Sequence, residues 1–182
     1  MTRTTKIAAL AVCLLLATSA VSATAFTSIT LQRNANIDVV ADDTGIVQLS
    51  AGSSDFVTLD NGQLAIDVTN GGASGTNVNS TLEIGENATS PTTNAFTITN
   101  NDESSHSFTL SYGSLNSDSD TAPNVEFAVF DETGDREASI SENSDGTFTM
   151  PSGDTFEVVL VVDTTGSATG DDLSGTLTIT SS

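Results

Sequence analysis

The side chains able to do chemistry in this chain are few in kind and numerous in only one. There is one histidine, His106, in the polar stretch Asn101-Asp102-Glu103-Ser104-Ser105. A general base needs an oriented partner and a nucleophile within hydrogen-bond reach. Ser and Asp are plentiful, yet no Gly-x-Ser-x-Gly elbow accompanies them, and a surface turn is the simpler reading of His106. Asp118-Ser119-Asp120 and Asp131-Glu132-Thr133-Gly134-Asp135 offer oxygen ligands of the type calcium takes. Neither has the ordered spacing of an EF-hand loop, so solvated acidic turns are the competing reading. A glycosidase needs two carboxylates, but with 24 acids any pairing is uninformative. Sugar binding usually adds an aromatic platform, and here there is no Trp and one Tyr, Tyr112, on a core-like strand. No catalytic residue, metal ligand set or cofactor site is expected from these patterns.

Asn79-Ser80-Thr81 and Asn87-Ala88-Thr89 are N-glycosylation acceptor sequons in expected loops. Such triplets also arise by chance in Asn- and Thr-rich sequence. Cys13 is the only cysteine and lies in the apolar N-terminal run, so the remainder has no disulfide, zinc site or thiol nucleophile. A lipoprotein cysteine would sit at a cleavage site, whereas Leu14, Leu15 and Leu16 continue the apolar run past it.

Residues 1–25 read as a secretory signal peptide. Arg3 and Lys6 supply the basic start, Ile7 to Ala17 the uncharged core, and Thr18 to Ala25 the small residues before a cut between Ala25 and Phe26. Without a twin arginine, the general secretion route is expected. The alternative is a retained anchor, since Ile7 to Phe26 gives 20 uncharged residues, enough to span a bilayer. Residues 26–182 then form one domain of roughly 155 residues, large enough to bury about two-thirds of its unfolded surface.

Charge constrains the partners. The domain carries 24 acidic residues against Arg33 and Arg136, a formal −22. Nucleic acid and anionic lipid are repelled, so neither is expected as a partner, and a membrane only through an uncleaved leader. Salt screens such self-repulsion over about 3 Å at 1 M, which fits a protein working in concentrated salt. Calcium binding is the rival reading of the same carboxylates. Disorder is the third, and 37% apolar residues in clear alternation oppose it.

The elements that must position these groups are strands. Thr155 to Asp163 puts Phe156, Val158, Leu160 and Val162 on one face at period two. Its other face, Glu157, Val159, Val161 and Asp163, is apolar in the middle, which predicts a long inner strand partly covered on both sides. Phe56 to Leu59 and Leu64 to Val68 flank Asn61-Gly62, whose tolerance of positive φ predicts a type I′ hairpin. Ala95 to Thr99 is expected to pair with Ser107 to Tyr112. A second hairpin is expected where Ala138 to Ile140 and Thr147 to Met150 flank Asn143-Ser144-Asp145-Gly146. Further strands are read at Phe26 to Leu31, Ile37 to Val39, Ile46 to Leu49, Thr81 to Ile84, Asn124 to Phe130 and Leu173 to Ile179. Roughly ten short strands without an amphipathic helix predict an all-β, two-sheet antiparallel β-sandwich, Ig-like or jelly-roll-like.

The order of several motifs carries a resemblance. Ala25-Phe26-Thr27-Ser28, Ile37-Asp38-Val39-Val40-Ala41-Asp42-Asp43, Leu59-Asp60-Asn61-Gly62-Gln63-Leu64, Ala95-Phe96-Thr97-Ile98-Thr99-Asn100-Asn101, Pro151-Ser152-Gly153-Asp154 and Asp163-Thr164-Thr165-Gly166 occur in sequence. Together they resemble an exported haloarchaeal β-sandwich domain family of unknown function. More remotely, the aromatic residue after the cut and the late Pro-x-Gly-Asp are similar to the TasA/camelysin biofilm-fibre group. That resemblance implies fibre subunits joined by insertion of one N-terminal strand into the next subunit, with Phe26, Ile29 and Leu31 as the donor residues. Camelysin is classed as a metallopeptidase, but no His-Glu-x-x-His occurs here and that activity is not carried over.

The expected role is therefore a secreted or cell-surface structural protein, not an enzyme, whose partner is a further copy of itself or another surface protein. The alternative is a monomeric surface module binding a ligand or calcium through loops at Asn70 to Ser80 and Asn116 to Asn124. A hydrolase is the remote third.

Overall fold

A computed structural model describes residues 41–69, 75–114, 124–168 and 173–182, all within one compact unit, Val39–Ser182. The expected leader with Cys13 and its Ala25–Phe26 cut, the donor residues Phe26, Ile29 and Leu31, the strand at Ile37 to Val39, and Asp118 and Asp120 lie outside the described residues.

The described chain is all-β. Its strands are β1 (Val47–Ala51), β2 (Val57–Asp60), β3 (Gln63–Ile66), β4 (Thr81–Ile84), β5 (Phe96–Asn100), β6 (His106–Ser114), β7 (Val125–Phe130), β8 (Arg136–Ser141), β9 (Gly146–Met150), β10 (Thr155–Asp163) and β11 (Gly175–Ser181). A single 3-10 turn, Asp42–Thr44, precedes them. The larger antiparallel sheet runs β1-β5-β10-β7-β8, with β4 also paired to β10, and the smaller runs β11-β6-β9. The two pack as a sandwich, with the β2–β3 hairpin beside β1.

The strand Thr155–Asp163 is the central one, as its pattern predicts. It pairs with β7 on one side and with β5 and then β4 on the other. Phe156, Val158, Leu160 and Val162 are buried in the main core. On its opposite face Val159 is fully buried with Ala128 and Phe130, under Ala88 from the β4–β5 loop. The cover on the second face thus comes from the same molecule. Aromatic rings tie the sheets together: Phe148 of the smaller sheet stacks on Phe156 of the larger at 5.5 Å, and on Phe108 at 5.9 Å. Each such pair contributes about 0.5–1.5 kcal/mol beyond its buried area.

Two expected hairpins are corrected. Asn61 and Gly62 do adopt φ of 51° and 80° between β2 and β3, the conformation the Asn-Gly pair favours. However, β5 and β6 belong to different sheets, and so do β8 and β9. The β5–β6 connection crosses the sandwich because Asn100, fully buried, donates its amide to the carbonyls of Ser104, Met150 and Pro151. That side chain binds the crossing to the β9–β10 turn. Between β8 and β9 only the bridge Ser141–Ser144 forms, and Gly146 then packs directly against Ile140.

Candidate functional site

The alternation that buries one face of every strand should leave no apolar side chain half-covered, yet one flank of the sandwich does. Among the described residues, β1 ends the larger sheet and pairs only with β5, and β11 ends the smaller and pairs only with β6. Between them runs a groove of about 1030 Å³. Val47 and Leu49 of β1, Leu64 and Ile66 of β3, and Leu177 and Ile179 of β11 line its walls, all half-buried. Phe127, Leu160 and Tyr112 form its floor. The tyrosine is held there by its hydroxyl, which donates to the Leu173 carbonyl at 2.6 Å, and by its ring on Phe127 at 5.4 Å.

Polar groups fix the rim. Asp42 accepts the Leu64 amide at 3.0 Å and its own N–H reaches the Gly62 carbonyl at 2.8 Å, which holds the 3-10 turn to the hairpin tip. Asp67 accepts both the amide and the hydroxyl of Thr69. The Thr69 hydroxyl and amide hold the Asp67 carboxyl below its usual range. What the arrangement offers chemically is apolar wall and strand edges that are unpaired among the described residues, with their main-chain donors and acceptors, the features an added strand uses.

The sequence-derived chemical candidates stand elsewhere, and not together. His106 opens β6 and its Nε2 pairs with the Asp102 carboxylate. The hydrogen bond to Asp102 and a second to the Ser182 main chain raise the imidazole pKa, and the bond from His106 lowers that of Asp102. The nearby Ser152 hydroxyl donates to the Asp102 main-chain carbonyl at 2.7 Å, not to the imidazole. This pair clasps the end of the sandwich, where the main chains of Ser107 and Ser182 exchange hydrogen bonds.

Asp131 turns its carboxylate into its own loop, accepting the amides of Thr133 and Asp135 at 2.9 Å and the Thr133 hydroxyl at 2.8 Å. Those bonds, the hydroxyl first, hold its pKa low. Its oxygens are committed to shaping the turn, which weakens the expectation of calcium there. Among the described residues, no group of three or more His, Cys, Asp or Glu side chains is arranged to hold a metal. Asn79 and Asn87, the sequon asparagines, are exposed turn residues with φ of 52° and 69°. Asn87 Oδ1 accepts the Thr89 hydroxyl at 2.7 Å, while Asn79 Oδ1 accepts the Gly166 amide at 3.3 Å.

Sequence reasoning placed Val47, Leu49, Leu177 and Ile179 on strands without marking a groove. Nothing local distinguishes an inner face that is covered from one that lines a groove.

No protein-family model matches the chain, and no curated protein matches it. Among the described residues no helix is long and apolar enough to cross a membrane.

Proposed function

We propose that this is a secreted or cell-surface structural protein whose copies join by strand addition. The extended segment Phe26 to Leu31 of one copy lies in the groove of the next, and Phe26, Ile29 and Leu31 fill its apolar pockets. The observation that carries this reading is the groove with two end strands on its walls. An edge strand supplies generic affinity through its main chain, and alternate side chains supply selectivity. A strand of six residues extends about 20 Å, long enough to cover most of β11.

The charge of the chain supports the same mode of contact. Copies of the exported domain, at formal −22, repel one another across most of their surfaces. A short strand buried between walls places the attraction where carboxylates are few. The partner is thus a further copy or another surface protein with a similar donor strand, and the role is not catalytic. In that setting the exposed sequons at Asn79 and Asn87 are glycan acceptors at the two ends of β4.

Deleting Phe26 to Leu31 tests the proposal. Sedimentation and electron microscopy in concentrated salt are expected to show assemblies from the intact exported chain and monomers from the truncated one. Fibres formed equally well by the truncated protein would overturn it.

A further inference from the structure

The outer face of the smaller sheet differs in charge from that of the larger. Side chains alternate across a strand, so those between the core positions point outward. On β11 these are Thr176, Thr178 and Thr180, and on β9 Thr147 and Thr149, all exposed. The central strand β6 contributes Thr109 between two serines. The register sets them in rows: Thr147, Thr109 and Thr180 stand side by side, and the Thr109 and Thr147 hydroxyls are 3.2 Å apart. The outward positions of these three strands hold only Thr, Ser and Gly, with no charged side chain among them.

On the larger sheet the outer face carries Glu83 and Glu126 beside Val161, and Glu157 on β10 itself. In an exported domain of 24 acids against two arginines, a sheet face without a carboxylate is where two copies approach with least repulsion. Its chemistry suits the same contact. A hydroxyl both donates and accepts, so a face of hydroxyls complements a copy of itself, whereas carboxylates only accept. Each Thr also brings a methyl group whose covering is favourable.

Size sets the strength of such a contact. Three strands about 4.8 Å apart and, on β11, seven residues long make a patch of roughly 14 Å by 24 Å. That is about 340 Å² per copy, well under the roughly 800 Å² a side of a standard stable interface. An isolated pair is therefore weak, and the contact gains strength where many copies are held in rows. We propose that this face packs against the same face of a second copy about a two-fold axis, and so binds rows of subunits side by side. The side-by-side role rests on the strand-addition reading; the pairing of the two faces does not.

The test places one carboxylate on the face. Thr147→Glu and Thr178→Glu do so from exposed positions on different strands, and two-fold symmetry doubles each charge at the contact. Gln63→Glu adds the same charge on the exposed side of the β2–β3 hairpin and serves as the control. In concentrated sodium chloride, electron microscopy is expected to show bundled filaments from the parent and the control, and single filaments of unchanged length from the two threonine variants. Sedimentation equilibrium at high protein concentration is expected to show face-to-face association weakened more than about tenfold in both. Single filaments in the parent, or bundles that survive both threonine substitutions, would overturn the proposal. A parent that forms no filaments would count against strand addition instead. Sedimentation then decides the pairing: a dimer weakened only by the threonine substitutions supports it, and no dimer, or one unaffected by them, overturns it.

Discussion

The two flanks of the sandwich are built from the same residue types and end differently. On one, β8 and β9 close the gap between the sheets: Ile140, Phe148 and Met150 are buried, and Gly146 brings the backbone against Ile140. On the other, β1 and β11 diverge around the groove, and Val47, Leu49, Leu177 and Ile179 stay half-buried. Side-chain chemistry does not separate the two. What differs is whether the chain passes directly from one sheet to the other at that flank. A four-residue turn at Glu142 to Asp145 draws the sheets together on the first. On the second, the end strands are far apart in sequence, and no described turn joins them.

The contrast can be broken at its strongest point by cutting one large side chain from each flank. Phe148→Ala removes a ring stacked on two others and is expected to destabilise by about 3–5 kcal/mol. Leu177→Ala, on the open wall, is expected to lose about 1 kcal/mol, since that side chain is only partly buried. Denaturant unfolding at high salt measures both. Equal losses would mean that the groove wall is covered as well as the closed flank.

A smaller effect sharpens the account of the closed flank. A Cβ on Gly146 would lie 2.6 Å from Ile140 Cγ1. Gly146→Ala is expected to cost about 1–3 kcal/mol by overpacking, and Ile140→Val in the same chain should return part of it. If the two substitutions simply add, the glycine is not there for that approach.

The smallest effect concerns the Asp102–His106 clasp beside the end of β11. The raised His106 pKa gives stability that is complete below the usual 6.5 and lost as pH rises through the folded value. The lowered Asp102 pKa gives stability present above the usual 3.8 and lost as pH falls through the folded value. The pair therefore contributes most between those limits. Melting temperature should fall slightly from pH 6 to pH 8, and His106→Gln should flatten that slope. Both groups are partly open to solvent, so the change is modest and shrinks with salt. A slope unaltered in the variant would assign the pH dependence to other groups.

Much of this architecture was legible beforehand for a simple reason: period-two alternation reports burial of one face, and it does so strand by strand. Thr155 to Asp163 showed both its length and its half-covered second face. Asn61-Gly62 specified its own turn because positive φ is a property of two adjacent residues. The Phe residues at 96, 108, 127, 148 and 156 all lie on strands and are all buried. The errors have one origin. A hairpin and a sheet-crossing turn leave identical alternation on their flanking strands, so the β5–β6 and β8–β9 connections could not be told apart locally. Asn100 decides the first by bonding to Met150 and Pro151, about fifty positions away. Likewise Asn124 stands where an expected loop meets an expected strand, and only packing buried it and brought Glu142 to its main-chain N–H.

The chain by itself therefore determined that it would be strands, which faces they would bury, and how strongly charged the product would be, because these follow from neighbouring residues and a count. Tertiary structure alone decided which strands share a sheet, which flank closes, and which polar oxygens end up away from water. Those outcomes depend on contacts between segments remote in sequence, and no local pattern encodes them.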